Sequence, residues 1–356
     1  MSKLENLMGQ LPEGVCALIS DDINRRYFTG MKSSAGMLAV FRDCAYLIID
    51  FRYIEKARET VRDCEVVLQK DPYAQLREII EKHKPEQIRI ESDRMTLSAF
   101  DRLKKGLGDR GRTLSTEVAL SRCISEMRSV KTEEELQCMT AAQRIAEGAF
   151  EDILDFIRPG VTEREIALRL NDTMLRAGAE DISFETIALS GVNTSMPHGV
   201  PSDKQVNSGE FVLMDFGAVY EGYHSDMTRT VAVGEPDDEM VRIYNTVLAA
   251  QLVAIDHAAA GVTGKELDSA ARDYISKEGF GEAFGHGLGH SVGLEIHEAP
   301  CANTRDETVL RENMVITIEP GIYLPKKFGV RIEDFVAITP NSCRDLTNAP
   351  KNLIKL

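Results

Sequence analysis

The chain has 356 residues, 43% of them hydrophobic and 28% charged, which is ordinary for folded globular domains. This length allows two domains or one large domain. The formal net charge of −15 argues against a nucleic-acid-binding protein, because binding to phosphates requires a clustered basic surface.

The cysteine pattern and the apolar runs indicate the cellular compartment of the protein. The seven cysteines are scattered, and their odd number includes no Cys-x-x-Cys pair. This usage predicts reduced thiols in a cytoplasmic protein rather than a disulfide framework. The N-terminus lacks the apolar core of a signal peptide. No run approaches the roughly 18 apolar residues of a membrane helix, so we expect no membrane partner.

The N-terminal part alternates short apolar runs with helical patterns. Strands are predicted at 15–19, 37–41, 45–51 and 88–91, and helices at 53–61, 72–83 and 97–107. Such alternation is typical of an α/β domain. We assign residues 1–124 to this smaller domain, which carries no catalytic motif.

A second domain is predicted over 125–356. A charged stretch, 125–131, precedes a capping box of Thr132 and Glu135, which predicts a long helix to about residue 157. Farther along, a Gly-Val-Thr helix start, a capping glutamate and a glycine after the helix occur twice at the same spacing, within 160–178 and 261–279. The repeat predicts two equivalent halves of an α+β domain, with chance similarity of helix caps as the alternative.

Four acidic residues stand in two pairs at the ends of predicted strands, and a turn separates the members of each pair: Asp215 and Asp226, then Glu319 and Glu333. If each pair faces across a hairpin, its members lie about 5 Å apart. Buried carboxylates at that distance repel each other unless cations neutralise them. Four carboxylates match the charge of two divalent ions.

A glycine-rich segment, 284–298, holds three histidines: His286, His290 and His297. It also contains Gly289-His290-Ser291-Val292-Gly293, which fits the G-x-S-x-G nucleophile elbow of hydrolases. That elbow requires a preceding apolar strand and then an acid and a histidine well downstream, and the sequence does not supply them. A dinucleotide-binding G-x-G-x-x-G also fails, because His290 occupies a glycine position. We therefore do not expect Ser291 to be a nucleophile.

These residues together resemble a known family. The five residues Asp215, Asp226, His290, Glu319 and Glu333, with the segments 222–230 and 286–290, resemble the Xaa-Pro peptidase group of the pita-bread metallopeptidases, which comprises prolidases and aminopeptidases P. The segment 128–132 resembles the start of their catalytic domain. The resemblance implies a pita-bread, pseudo-twofold α+β catalytic domain with a smaller N-terminal α/β domain of the creatinase-like type.

The resemblance also implies a metal centre. Two divalent ions are expected, most naturally Mn²⁺ because the ligands are rich in oxygen, with Co²⁺ or Zn²⁺ as alternatives. By resemblance, Asp226 and Glu333 bridge the ions and Asp215 binds one of them. His290 and Glu319 then bind the other. A hydroxide between the ions would be the nucleophile, since the ions lower the pKa of water, and Glu319 would be the general base.

Other polar residues are predicted around this centre. His297 resembles the histidine that holds the scissile carbonyl and stabilises the oxyanion. His198 resembles a substrate-side histidine. Arg331 is expected either to orient a metal-binding carboxylate or to form a plain salt bridge. His286 and Tyr223 are expected either to support the ligands through hydrogen bonds or only to pack.

The expected function is a cytoplasmic, homodimeric aminopeptidase that acts on peptides with proline at the second position. The alternatives are an Xaa-Pro dipeptidase, a metal-free creatinase-like hydrolase and a non-catalytic binding protein. The intact ligand set argues against the last two. In related prolidases an arginine often follows the His-Glu-x-Pro segment, where it suits a free carboxylate. Here that position holds Cys301 and the next arginine is Arg305, so longer peptides are expected to be preferred.

Overall fold

The computed structural model describes residues 1–108 and 112–356, and tertiary contacts divide the chain into two units, 1–127 and 128–356. The first unit contains, in chain order, α1 (Lys3–Gln10), β1 (Val15–Ile19), α2 (Asp22–Thr29), β2 (Met37–Val40), β3 (Ala45–Ile49), α3 (Ile54–Thr60), β4 (Glu65–Leu68), α4 (Pro72–His83), β5 (Gln87–Ile90), α5 (Leu97–Leu107) and β6 (Thr113–Ser115), and α6 (Ala119–Ser129) follows. Its strands form a mixed sheet in the order β4-β3-β2-β1-β5-β6.

The predicted elements of this part are confirmed, and α4 and α5 match their predicted bounds. The sequence analysis missed α1, α2, β4, β6 and α6. The strands β4 and β6 are short and lie at the two edges of the sheet, where fewer apolar residues are needed. Most of the charged stretch 125–131, for which no element was predicted, belongs to α6. The charged residues there mark the polar face of an amphipathic helix.

The second unit has two successive sets of elements. The first set is α7 (Glu133–Leu154), α8 (Glu163–Arg176), β7 (Asp181–Ile182), β8 (Ile187–Ser190), a 3₁₀ helix (Gly191–Ser195), β9 (Glu210–Phe216), β10 (Ala218–Tyr220), β11 (Tyr223–His224) and β12 (Met227–Val233). The second set is α9 (Asp238–His257), α10 (Gly264–Lys277), a 3₁₀ helix (Gly281–Ala283), β13 (Gly289–Ser291), β14 (Glu298–Ala302), β15 (Val315–Ile318), β16 (Gly321–Leu324), β17 (Phe328–Arg331), β18 (Asp334–Ile338) and β19 (Cys343–Asp345).

The internal repeat of this unit extends to its backbone hydrogen bonds. Both α8 and α10 begin at a complete capping box, Thr162 with Glu165 and Thr263 with Glu266. Just before α8, the Gly160 N–H donates to the Val206 carbonyl at 2.9 Å, and the equivalent bond before α10 joins Gly261 to the Leu310 carbonyl at 2.9 Å. Because cap and strand contacts recur together, the repeat is structural and is not a coincidence of helix caps.

Each half has its own sheet and its own core. The first half pairs its strands in the order β12-β9-β8, and the second in the order β14-β13-β15-β18-β19. One apolar cluster fills the space between α7, α8 and the first sheet, and another fills the space between α9, α10 and the second. The two sheets meet where the Glu333 N–H donates to the Thr228 carbonyl at 3.1 Å. Residues after the central strands of both halves therefore converge.

The structure also bears on the predictions of reduced thiols and of no membrane helix. All seven cysteines fall in the described residues, and all are free thiols. Among the helices of the described residues, none is long and apolar enough to cross a bilayer.

Candidate active site

The two pairs of acids differ in how their strands place them. In the second half, Ile318 pairs with Asp334, so Glu319 and Glu333 are the next opposed residues, as predicted. In the first half, Asp215 pairs with Thr228 rather than with Asp226. The predicted hairpin is present, but direct opposition of the two acids is wrong: the turn after Tyr220 sets a register in which Asp226 is two residues away from the position opposite Asp215.

His290 lies between acids of both halves. Its Nε2 is 3.6 Å from Asp226 Oδ2 and 3.5 Å from Glu319 Oε1. The other ring nitrogen, Nδ1, is 3.2 Å from the Ser291 carbonyl, so Nδ1–H donates there and the lone pair of Nε2 points toward the acids. Ligand atoms of Asp226, His290 and Glu333 all lie within 4.8 Å of one another. The sequence-predicted ligands thus come together.

Among the carboxylates of this site, Asp226 and Glu333 are buried, and Asp215 and Glu319 are partly buried. Burial, together with the neighbouring carboxylates, raises the pKa of Asp226 and that of Glu333 well above their usual values. Burial also raises the pKa of Glu319 to about 8, against the attraction of Arg331. Asp215 Oδ1 is buried and has no hydrogen-bond partner among the described residues. Clustered acids and an orphaned carboxylate oxygen fit divalent cations, which would satisfy that oxygen and offset the repulsion.

Arg331 organises the polar surroundings of Asp215. Its Nη2 donates to Asp215 Oδ2 at 2.6 Å, its Nη1 to the Tyr323 hydroxyl at 2.7 Å and its Nε to Thr228 Oγ1 at 2.9 Å. The same Tyr323 hydroxyl is 3.1 Å from His286 Nε2. Arg331 therefore orients Asp215, a predicted metal ligand of the opposite half. His286 contacts Tyr323, which in turn contacts Arg331.

Tyr323, which the sequence analysis did not single out, joins Arg331 to His286 beside the site. It lies on β16 beside Arg331 on β17, and alternation along this hairpin could have indicated that both face the site. A Cβ on Gly321 or Gly329 would come within 2.7 Å of the Tyr323 ring, so both positions require glycine. Burial raises the pKa of Tyr323 to about 12, which keeps its hydroxyl protonated.

Tyr223 was predicted to support a metal-binding carboxylate or to pack, and the first alternative is wrong. Its hydroxyl donates to Glu135 Oε1 at 2.5 Å. Glu135 belongs to the capping box that begins α7, so this contact ties the β10–β11 hairpin to a helix end. Tyr223 is also absent from the described lining of the site cavity.

The remaining predicted residues line a cavity of about 570 Å³. Its lining includes every predicted site residue other than Tyr223: His198, Asp215, Asp226, His286, His290, His297, Glu319, Arg331 and Glu333. Further lining comes from segments that the sequence analysis did not single out, 184–187 and 199–201, and from Ile296, Cys301 and Asn303. Arg305 is not among the described lining residues.

The two outer histidines have different surroundings. The His297 ring packs edge-on against the His290 ring, with centroids 4.4 Å apart and an interplanar angle of 69°. His198 follows the 3₁₀ helix of the first half, and its side chain is exposed at the cavity. Both can therefore reach a molecule in the cavity.

Ser291 is not arranged as a nucleophile. It is fully buried, and its hydroxyl donates to the Val315 carbonyl at 2.7 Å. A nucleophile elbow instead exposes its serine at a sharp turn after a strand. The structure thus agrees with the rejection of that motif.

Comparison with known proteins identifies the family. The profile of metallopeptidase family M24 matches residues 137–340, and that of the Creatinase/Prolidase N-terminal domain matches 4–130. The chain belongs to metallopeptidase family M24. It is therefore a peptidase that uses divalent metal ions, and the predicted pita-bread fold is confirmed. The alternative of a non-catalytic binding protein is excluded.

Several relatives of this M24 peptidase are similar over its full length. It is 40% identical to the uncharacterized peptidase YqhT of Bacillus subtilis (strain 168), over 100% of this chain and 99% of that protein. It is similar to a Bacillus anthracis Xaa-Pro dipeptidase, with 39% identity, a TM-score of 0.94 and 99% coverage of both chains. It is likewise similar to a Thermotoga maritima X-Pro aminopeptidase, with 39% identity, a TM-score of 0.90 and 100% coverage of both chains.

Proposed function

We propose that this M24 peptidase is an Xaa-Pro dipeptidase. The dipeptidase of Bacillus anthracis supports this, as does the Xaa-Pro dipeptidase of Pyrococcus horikoshii, which is 48% identical over 65% of this chain and 66% of that protein. These relatives favour the dipeptidase over the aminopeptidase, which reverses the order of the two sequence-based hypotheses.

The observation that carries the proposed metal-dependent hydrolysis is the cluster of acids around His290. We propose that Asp215, Asp226, His290, Glu319 and Glu333 hold two divalent ions, with Mn²⁺ favoured by the oxygen-rich donors. The buried, unpartnered Asp215 Oδ1 supports this ligand set. When bound, such ions activate water and polarise the scissile carbonyl.

The chain's own residues would then hold the substrate and move protons. Glu319 is placed to act as a general base, because its carboxylate lines the cavity with Oε1 3.5 Å from His290 Nε2. The proton that Glu319 takes from the attacking water would then pass to the leaving nitrogen of proline. His297, exposed in the cavity beside His290, would stabilise the carbonyl oxygen as negative charge develops on it. His198 would contact the substrate from the opposite half.

One observation keeps the aminopeptidase as a second candidate. Among the described cavity-lining residues, Arg331 is the sole arginine, and it is already bonded to Asp215 and Tyr323. Cys301, at the position where related prolidases often have an arginine, lines the cavity but carries no positive charge. A free substrate carboxylate would have to rely on His198, His297 or a neighbouring subunit. The similarity to the Thermotoga aminopeptidase also fits this candidate.

A matched pair of substrates decides between the candidates. The kcat/KM for an Xaa-Pro dipeptide is compared with that for the same peptide extended by one residue at its C-terminus. The dipeptidase proposal expects higher kcat/KM for the dipeptide, and a C-terminal amide of the dipeptide should then be a poor substrate. If the extended peptide is cleaved more efficiently, the protein is an aminopeptidase.

We also propose a cytoplasmic homodimer. The free state of all seven cysteines supports a reducing compartment. Light scattering on the purified protein measures the mass of the assembly, and a monomer at working concentration would contradict the dimer.

A further inference from the structure

A buried ion cluster lies behind the histidine segment, and the proposed mechanism does not use it. Lys131 and Glu298 are its centre, with side chains only 1% and 6% exposed and Nζ 3.3 Å from Oε2. Arg128 donates to Glu298 and, at 2.8 Å, to Glu295 Oε2. Burying charges is costly unless they are paired and hydrogen-bonded, so a cluster this deep has to have a specific arrangement.

The carboxylate of Glu298 shapes the turn that carries His297. The backbone N–H groups of Leu294 and Glu295 donate to Glu298 Oε1 at 3.0 and 3.3 Å. A Cβ on Gly293 would lie 2.6 Å from the two carboxylate oxygens, so the turn leaves room for this group only with glycine there. The turn is thus wrapped around a carboxylate that directly follows His297.

Lys131 joins this turn to the strand of His290. Its Nζ contacts Glu298 Oε2, and it donates at 3.2 Å to Ser291 Oγ, the residue after His290. One ammonium therefore holds both β13 and the start of β14. The register of β13 and β14 shifts between His290 and Ser291, so regular strand pairing does not by itself set the relative position of the two histidines.

Burial and the facing charges act in opposite directions on the pKa values of Lys131 and Glu298. Burial lowers the pKa of Lys131, and the facing Glu298 opposes that shift. Burial would raise the pKa of Glu298, but Lys131 and Arg128 outweigh it and lower that pKa.

We infer that Lys131 and Glu298 are positioning residues that hold His297 against His290 for catalysis. The inference rests on the proposed role of His297 in the proposed function. Groups that orient the residues of a metal site change affinity or activity by about 10–100-fold when they are lost. The pair should therefore affect kcat through His297 and leave the remote parts of substrate binding intact.

The test compares Lys131→Met with a matched surface variant. Lys265 pairs with Glu307 at 2.7 Å, but its side chain is 50% exposed, so Lys265→Met removes an ammonium from outside the site. Lys131→Met is expected to lower kcat about 10–100-fold with a small change in KM and unchanged bound metal, and Lys265→Met to match the wild type. Lys131→Arg restores a cation and should recover part of the loss. Equal kcat in Lys131→Met and Lys265→Met would overturn the inference.

A double-mutant cycle separates positioning from general destabilisation. If Lys131 acts through His297, Lys131→Met should cost little further kcat once His297→Ala is present, whereas independent effects would multiply. Multiplying effects, or loss of bound metal in Lys131→Met, would contradict the inference. Because removal of one buried partner can prevent folding, Glu298→Gln is run through the same cycle. All variants are compared on whichever peptide the wild type cleaves, so a failed dipeptidase assignment is seen separately in the wild type.

Discussion

The two halves of the catalytic unit share a backbone plan but supply different chemistry to the cavity. The first half contributes two carboxylates, Asp215 and Asp226, and one histidine, His198, whereas the second contributes two carboxylates and three histidines, His286, His290 and His297. In each half, a helix that begins at a capping box precedes the strands that carry these residues. The duplication therefore fixes where the backbone places a side chain, while the residue type at each place differs between the halves.

The groups behind Asp226 and Glu333 differ as well. After Asp226 comes Met227, whose sulfur accepts from Gln143 Nε2 at 3.2 Å. After Glu333 comes Asp334, which accepts from Gln251 Nε2 at 2.8 Å. Asp334 also pairs with Arg229 and Lys351, each at 2.7 Å. The first acid is thus supported mainly by packing, and the second by buried charges.

The largest expected effect tests whether both halves act through shared ions. Incubation with EDTA should abolish peptide hydrolysis, and Mn²⁺ or Co²⁺ should restore it, because ligands from both halves converge on the proposed centre. A serine-directed reagent should have no effect, since Ser291 is buried. Full activity in protein shown by elemental analysis to be metal-free would exclude the proposed centre.

The next comparison concerns Glu319 and Asp215, the acids at equivalent strand ends. Glu319→Gln should lower kcat/KM by about 10²–10⁴ at any Mn²⁺ concentration, because the proposed base is lost. Asp215→Asn weakens a proposed ligand that Arg331 holds, so excess Mn²⁺ should recover part of its activity. Metal titrations of both variants measure this, and recovery of Glu319→Gln by Mn²⁺ would remove its role as base.

A third comparison concerns the stability that the residues behind Asp226 and Glu333 provide. Asp334→Asn leaves Arg229, which is 1% exposed, without its charged partner and should lower the free energy of unfolding by about 3–5 kcal/mol. Met227→Leu conserves apolar volume and should cost less than about 1.5 kcal/mol. Urea denaturation with EDTA present excludes the contribution of bound metal. Equal losses of unfolding free energy in Asp334→Asn and Met227→Leu would mean that buried charges behind Glu333 stabilise the fold no more than packing behind Asp226 does.

The smallest expected effect concerns His297 of the second half. His297→Ala should lower turnover by about 10²–10³, the usual effect of losing an oxyanion-stabilising group, while bound metal is retained. Steady-state kinetics and metal analysis on the same preparation measure both quantities. Normal turnover would place His297 outside the reaction.

Local patterns in the sequence were sufficient for several parts of this protein. The capping boxes at Thr162 and Thr263 predicted both helix starts, because a cap depends only on residues within one turn. The five proposed metal ligands were likewise indicated by a family resemblance that lies in short motifs at strand ends. The fold class followed from the repeat and the same motifs.

Other features depended on the tertiary structure. The choice of Tyr323 over Tyr223 depended on which tyrosine hydroxyl contacts the residues around the acids, and the offset between Asp215 and Asp226 depended on the register of their hairpin. The contact of Lys131 with Glu298 joins residues that are far apart in the chain. Such contacts depend on how strands and turns from both halves pack around one centre, which local sequence patterns do not encode.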